Sequence, residues 1–559
     1  MTHRLKRLFS RPHLTVTLVA VLTALFIVLI DNHLFWHSLS VRLGLNSAND
    51  WFFALTVGAI ITLVLNALFN IVFLKPLFKP FLIFVLLTAA MVSYFMDSFG
   101  VIVDKSMIHN VLETDVKEAS ELLTWPLFSH LLLYGGLPVT LLLLTRVKYH
   151  PWRRELLARG GLITGSLALI AVLVLVQYKN FTLFGRENRD LRMFINPVYA
   201  TYSLNKVVQK KYFTSTDKPI QAIAPDATRP DNGPRSVVVL VVGETARAQS
   251  FSLNGYERDT NPYLAGQPIL NFSNVQSCGT STAESLPCMF SLLEHSTFKR
   301  EKAAAYENVL DVLQRAGVEV VWRDNDSGSK GLSDRVTYQD FNQADDQEFC
   351  TSGNCFDEIL LKGLPEIMNA QNKDMLIVLH IKGSHGPAYY KRVPPSFKIF
   401  SPECASGNIQ DCSQQEIINA YDTTILYTDY VLSRLIKILE QQSFATAMLY
   451  ISDHGESLGE NGIYLHGLPY AFAPPEQTRV PMIFWASEQF AGTRLPDLAT
   501  VATRTGNPYS HDNLFHSLLG LFDVSTRDYR PELDLFLTNQ PVQNRSMAES
   551  NPLSPRPLP

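Results

Sequence analysis

Three groups of residues carry chemistry in this chain. Ser452-Asp453-His454-Gly455-Glu456 comes directly after the apolar run Ala447–Ile451. A carboxylate beside an imidazole at the end of a strand can offer two ligands to one metal ion, and glycine lets the backbone turn there. A structural hydrogen bond at a strand end is the plain alternative, so other strands must end in ligands too. Ser236–Val242, a β-branched run suited to burial on both faces of a sheet, leads into Gly243 and Glu244. Val318–Trp322 leads into Arg323-Asp324-Asn325-Asp326, with Lys330 just beyond, and Met375–Leu379 into His380 and then His385. Glu244, Lys330, His380, His385, Asp453, His454 and His466 are therefore candidates for one site. Of these, His380, nearest its buried strand, reads as structural.

The second group is a hydroxyl. Cys278 and Cys288 bracket Gly279-Thr280-Ser281-Thr282-Ala283-Glu284-Ser285-Leu286-Pro287, with the apolar Met289–Leu293 next in the chain. A hydroxyl at a helix N-terminus sits where amide groups and the helix dipole favour an anion. Thr280 or Thr282 could equally be a simple N-cap. The nucleophilic reading needs a metal to stabilise the alkoxide, and Glu244, Asp453 and His454 would supply it. The third group, Asn110, Thr114 and Glu118, recurs at four-residue intervals, so a helix would place all three on one face. A solvated face is the plain account; a stripe that binds a lipid headgroup is the functional one.

The apolar pattern sets the elements that position these groups. Runs at 14–30, 51–74, 77–96, 127–145 and 161–177 each approach the roughly 20 residues that cross a bilayer as a helix. The first is taken as a span and not a signal peptide, because no small-residue cleavage site is evident and four further spans come after it. Arg4, Lys6, Arg7 and Arg11, then Lys75 and Lys79, then Arg146, Lys148, Arg153, Arg154 and Arg159 fall on one side, which reads as cytoplasm. Five spans then put everything after residue 178 outside. Residues 179–235 read as interfacial helices and a proline-bearing linker, 236–538 as the catalytic domain, and 539–559 as a disordered tail. Helical stretches at 304–316 and 415–441 separate the strands, so the domain is expected to be an α/β sandwich with ligands at the carboxyl ends of its strands.

Cysteine usage agrees with an exterior domain. All six cysteines lie from position 278 onward, at 278, 288, 350, 355, 404 and 412. Near-neighbour bridges Cys278–Cys288, Cys350–Cys355 and Cys404–Cys412 suit an oxidising compartment, although spacing leaves other pairings open. A zinc-binding cysteine cluster is disfavoured because no Cys-x-x-Cys pair occurs. A net charge of −4 over 559 residues gives no reason to expect nucleic acid.

Gly243-Glu-Thr-Ala-Arg247, Cys278-Gly-Thr-Ser-Thr282-Ala, Leu286-Pro-Cys-Met-Phe290, His385-Gly-Pro-Ala-Tyr389, Ser452-Asp-His-Gly-Glu456 through Asn461 and Tyr464-Leu-His-Gly467 together resemble the membrane-bound phosphoethanolamine transferases that modify lipid A, among them the mobile colistin-resistance enzymes. The resemblance implies an alkaline-phosphatase/sulfatase fold in the bacterial inner membrane, with the catalytic domain in the periplasm. It marks Glu244, Thr282, Asp453 and His454 as zinc ligands and Thr282 as nucleophile, and it places His385, His466 and Lys330 around the phosphate. Asn110, Thr114 and Glu118 would lie near the donor lipid. One Zn²⁺ is expected, with room for a second near His385 and His466, and the protein is expected to be a monomer.

The implied reaction moves phosphoethanolamine from phosphatidylethanolamine to a lipid A phosphate through a phosphoethanolamine-threonine intermediate, releasing diacylglycerol and weakening capture of cationic peptides such as polymyxin. His466 or His385 would give the leaving oxygen its proton. Asp326 stands where some relatives have asparagine: it would bind the donor's ammonium or be a neutral surface change. A transferase using phosphatidylglycerol, or acting on core Kdo or heptose, is the alternative of the same fold. A sulfatase is disfavoured because the Cys/Ser-x-Pro-x-Arg motif is absent around Thr282, and a non-enzymatic scaffold because every proposed ligand is present.

Overall fold

The computed structural model describes residues 13–537, apart from 73, 115, 214–218, 231–232, 343, 352–353 and 496; side chains at 116–118 and 210–213 are not described. The expected tail at 539–559 and the basic residues before position 13 lie outside the described residues. The chain divides into two compact units, and neither is continuous in sequence. One comprises 1–217, 384–424 and 456–477, and the other 218–383, 425–455 and 478–559.

Among the described residues of the first unit, four helices are long and apolar enough to cross a membrane: Ala48–Ile71, Lys75–Phe99, Trp125–Leu144 and Trp152–Val176. The first expected span is a shorter helix, Val16–Leu29, bent by 59° into His33–Leu43. Fourteen residues rise only about 21 Å, less than a bilayer core. Asn32 sits at the bend, and its Nδ2 donates to the carbonyls of Ile27 and Asn196, both at 2.8 Å. The count of five spans thus holds if the bent pair is one span. Where helices meet, small residues set the distance: a Cβ on Gly135 would lie 3.3 Å from Ala90 Cβ.

The last helix begins earlier than its apolar run because Trp152–Arg159, read as a basic loop, forms its first two turns. Arg159 is therefore not a loop charge. It is fully buried, with Nε donating to Glu155 Oε1 at 2.8 Å and Nη1 to the Val72 carbonyl.

The single helical face expected for Asn110, Thr114 and Glu118 is interrupted. A helix spans Lys105–Glu113, Thr114 is its C-cap with extended φ/ψ, and a second helix runs over Val116–Glu121. The Thr114 hydroxyl donates to the Asn110 carbonyl at 2.7 Å, where it meets the Thr114 N–H at 2.8 Å. Such back-bonding by a β-branched residue favours a helix end. The Glu118 side chain is not described.

Segments 384–424 and 456–477 pack with these helices inside the same unit. Glu121 accepts from Arg392 Nη2 at 2.6 Å and Lys391 Nζ at 3.3 Å, Gln410 Nε2 donates to the Ser98 carbonyl, and a Cβ on Gly467 would meet Met107 Cε at 2.7 Å. The loop carrying His466 thus lies directly against the Lys105–Glu113 helix.

The second unit is built on an eight-stranded mixed sheet. In chain order its strands are β1 (Ser236–Gly243), β2 (Leu270–Gln276), β3 (Glu319–Asp324), β4 (Thr337–Asp340), β5 (Met375–His380), β6 (Ala445–Ser452), β7 (Arg479–Ala486) and β8 (Tyr509–Ser510), and in space they run β8-β2-β7-β6-β1-β5-β3-β4. Strands β6, β1, β5, β3 and β4 are mutually parallel, while β7 is antiparallel to both neighbours. Four of the five parallel strands, β1, β3, β5 and β6, match the continuous apolar runs, whereas β4, Thr-Tyr-Gln-Asp at the exposed edge, does not. β2, whose sequence Leu-Asn-Phe-Ser-Asn-Val-Gln mixes polar and apolar residues, also carries a half-buried pattern that no such run marks.

Val238, Leu240, Leu449, Val378 and Trp322 form one core with helical side chains such as Leu286, Leu313 and Leu518. The expected helix at 304–316 is shorter, Val309–Arg315, because Asn308 and Asp311 form a capping box that resets its start. Residues 219–230, read as linker, run along this unit: Gln221 bridges to Tyr306 and Thr228 to Ser525, and Ala224 is fully buried.

Candidate active site

Register assembles the site. Ser452 pairs with Gly243, Val242 with His380, and His380 with Asp324, so β6, β1, β5 and β3 end at one level. The next residues, Asp453, Glu244 and Asn325, emerge together at the carboxyl edge. The turn after β1 is tight. Thr245 is fully buried with φ +60°, an outlier for a β-branched residue, and its N–H donates to Asp453 Oδ1 at 3.1 Å. Its hydroxyl donates to Glu244 Oε1. Gly383 passes so close that a Cβ there would lie 2.7 Å from the Glu244 carbonyl oxygen.

The nucleophile candidate comes from a different element. Thr282 opens the helix Thr282–Met289, and a disulfide joins Cys278 to Cys288 across it, with Cα atoms 6.1 Å apart. The other two pairs, Cys350–Cys355 and Cys404–Cys412, are also bonded as expected. Thr282 is not an N-cap. Ser281 holds that position, and the Thr282 hydroxyl donates to Glu244 Oε2 at 2.9 Å with His454 Nε2 at 3.5 Å.

His454 Nε2 also lies 3.3 Å from Glu244 Oε1 and 3.4 Å from Asp453 Oδ2. Its Nδ1 faces the Gly455 carbonyl at 3.0 Å, which assigns the proton to Nδ1 and leaves the Nε2 lone pair toward the carboxylates. All four residues are buried. Asp453 Oδ2 has no hydrogen-bond partner among the described residues, whereas Oδ1 accepts two backbone N–H groups. Burial, then the Glu244 carboxylate, push the Asp453 pKa well above the usual range.

Zn²⁺ fits this set. Tetrahedral bonds of about 2.0–2.2 Å put donor atoms about 3.4 Å apart, and the contacts here run from 2.9 to 3.5 Å. One imidazole, two carboxylates and a hydroxyl suit it chemically.

Lys330 belongs to the same unit but folds back. It sits at φ +52°, and Nζ donates to Ser327 O at 2.9 Å and Ser327 Oγ at 2.8 Å. Asp326 is fully buried, which excludes a surface change there. Asp324 Oδ2 accepts from Trp322 Nε1 at 2.8 Å and faces His380 Nδ1 at 2.9 Å. Burial alone would hold His380 neutral, but the Asp324 carboxylate outweighs it and lifts the pKa to about 9.

His385 and His466 belong to the first unit, where their ring centroids lie 5.9 Å apart. His466 Nδ1 faces Glu456 Oε2 at 2.8 Å, and Tyr389 Oη donates to Glu456 Oε1 at 2.5 Å. Gly386 makes room for that pair: a Cβ there would sit 2.7 Å from Tyr389 Oη and 2.8 Å from Glu456 Oε1. Asn110 and Thr114 lie in this unit too.

A residue outside the sequence-derived candidates also shapes the site. His511 is fully buried; its Nδ1 accepts the Cys278 N–H at 3.0 Å and its Nε2 donates to the Ser452 carbonyl at 2.9 Å. It ties the start of the Thr282 loop to the strand end bearing Asp453. Only the motif Ser510-His511-Asp512 hinted at it, and a polar group at a helix start is too common to single out. Burial holds its pKa down at about 3 against an ordinary 6.5. The unfolded chain thus binds the proton that the folded chain refuses, so stability is full above about pH 6.5 and falls as pH drops toward 3. Chemical denaturation across that window should show the loss, and His511→Gln should flatten it while costing about 1–3 kcal/mol at neutral pH.

A mixed α/β sheet with a buried carboxylate-imidazole-hydroxyl set at its carboxyl edge defines the sulfatase class of fold, and a sulfatase family model matches residues 236–524. A model described as phosphoethanolamine transferase EptA/EptB matches residues 61–212. Phosphoethanolamine transferase EptA of Escherichia coli K12 is 38% identical over 546 residues, covering 96% of this chain and 99% of that protein. Phosphatidylethanolamine transferase Mcr-1 of Escherichia coli is 43% identical over 462 residues, covering 80% and 84%. The solved integral membrane lipooligosaccharide phosphoethanolamine transferase A of Neisseria meningitidis superposes with a TM-score of 0.90 at 36% identity, covering 94% of this chain and 99% of that one. The chain belongs to the phosphoethanolamine transferase family.

Proposed function

We propose that this enzyme moves phosphoethanolamine from phosphatidylethanolamine to a phosphate of lipid A, with Thr282 as the nucleophile. The observation that carries the reading is the Thr282 hydroxyl held 2.9 Å from Glu244 Oε2 inside a donor set that fits zinc. Glu244, Asp453, His454 and Thr282 would hold the metal. When bound, zinc supplies a Lewis acid that lowers the pKa of the threonine hydroxyl.

Thr282 gives up its hydroxyl proton to solvent, Oγ attacks phosphorus, a threonine–phosphorus bond forms, and the bond to the diacylglycerol oxygen breaks. Lys330 neutralises charge on the phosphoryl oxygens. A protonated His466 or His385 gives the leaving oxygen its proton, and Glu456, on His466 Nδ1, fixes that ring so that Nε2 is the atom that exchanges it. In the second half a lipid A phosphate oxygen attacks, and Thr282 leaves with its proton restored. Asn110, Thr114 and Glu118 position the donor headgroup. The apolar helices of the first unit fit a multi-pass protein of the bacterial inner membrane, with its sheet domain in the periplasm and acting as a monomer.

The test is donor choice. Purified full-length protein in mixed micelles with lipid A should add phosphoethanolamine, seen by mass spectrometry, from phosphatidylethanolamine and not phosphoglycerol from phosphatidylglycerol. Equal transfer from both donors, or from neither, would overturn the reading. With a core-bearing acceptor in place of lipid A, phosphoethanolamine on the sugar and none on the lipid A phosphates would leave the donor assignment and replace the acceptor.

A further inference from the structure

Beside the four-residue donor set lies a second one that the proposed reaction leaves unused. Glu244, Asp326 and His380 are all fully buried, and one ligand atom from each lies within 4.8 Å of the others. His380 Nε2 and Asp326 Oδ1 have no hydrogen-bond partner among the described residues. Leaving two such atoms dry and unmatched is costly to the fold. Nε2 stands 3.8 Å from Asp326 Oδ2, a separation a shared cation can span.

The other side of the imidazole is arranged as metal-binding histidines usually are. Asp324 holds Nδ1 at 2.9 Å, fixing the ring. Asp324 is itself fixed, since it also accepts from the Trp322 indole at 2.8 Å and from the backbone N–H groups of Asp326 and Gly328. That network cannot turn without breaking four hydrogen bonds, so Nε2 is held toward Asp326.

We infer that this chain has a second divalent-cation site, formed by His380, Asp326 and Glu244, with the Glu244 carboxylate shared between it and the Glu244–Asp453–His454 site. This rests on the reading of Glu244 as a ligand of the first ion. One imidazole and two carboxylates suit a borderline cation such as zinc. A bridging carboxylate sets two ions about 3.5–4 Å apart. The site differs from one built on His385 and His466. Its role is charge and position: Glu244, Asp324, Asp326 and Asp453 crowd four carboxylates into one dry edge, and a second cation offsets them while holding the Glu244 carboxylate in place. The competing occupant is a proton, with His380 as an imidazolium.

Zinc stoichiometry separates the two. Full-length protein in detergent, stripped with chelator, reloaded with Zn²⁺ alone and desalted, should retain two equivalents by elemental mass spectrometry, with a zinc–zinc distance of about 3.5–4 Å by X-ray absorption. Asp326→Asn, nearly isosteric, and His380→Gln should each retain one, with thermal melts confirming a folded chain. Asp453→Asn should also retain one, but a different one, since Asp326→Asn,Asp453→Asn should retain none. One equivalent in the wild type, unchanged by Asp326→Asn, overturns the inference and assigns the imidazolium. If Asp453→Asn instead keeps both ions while Asp326→Asn loses one, the first-site reading fails and the second site stands.

Discussion

Replacing Thr282 with alanine should lower headgroup transfer by about a thousandfold or more while the protein keeps its fold and its metal. The structure says why these should separate. The Thr282 hydroxyl caps nothing, since Ser281 is the N-cap and the hydroxyl's contacts are Glu244 and His454. The Cys278–Cys288 bridge and His511 hold the loop independently of that side chain. Three protein ligands remain, the usual number for a catalytic zinc with an open position. Wild-type protein given phosphatidylethanolamine and no acceptor should release diacylglycerol in a burst and carry phosphoethanolamine on the peptide containing residue 282. The alanine variant should show neither. An adduct elsewhere, or a variant as active as wild type, would remove Thr282 from the mechanism.

The second large effect is expected from Asp453→Asn. Asparagine keeps Oδ1, which accepts the N–H groups of Thr245 and His454 at 3.1 and 2.7 Å, so the turn survives. It replaces Oδ2, the atom without a hydrogen-bond partner among the described residues, by an NH₂ that cannot ligate. Zinc affinity should fall more than about a hundredfold, and transfer with it. Excess zinc should restore part of the activity, which separates lost affinity from lost folding. A variant with unchanged metal content would remove Asp453 from the ligand set.

Much of this site was legible in the chain because its ligands come directly after apolar runs. A buried parallel strand reads as a continuous apolar run, so Ser236–Val242 and Ala447–Ile451 announce themselves, and the residues next in the chain lie at the carboxyl edge whatever the detail of packing. The antiparallel strands were not legible in the same way. β2 mixes polar and apolar residues, and its pairing with β7 on one side and β8 on the other makes it part of the sheet. The Asn110–Thr114–Glu118 stripe misled for a local reason. Four-residue spacing is necessary for a helical face, but the back-bonding Thr114 hydroxyl ends the helix at Glu113.

By itself the sequence determined the class of the fold, the family, the apolar helices, the disulfide pairs that near spacing favours, and the residue types at each strand end, because these depend on local composition and short separations. Tertiary structure decided which side chains meet. Register at four strand ends puts Glu244, Asp453 and His454 together and brings Asp324 and Asp326 to His380, a pairing across about 55 residues that spacing could not foretell. Burial decided the rest: Asp326, read as a donor ligand or a surface change, is fully enclosed, and enclosure is what turns an unmatched oxygen and an unmatched ring nitrogen into a place for a cation.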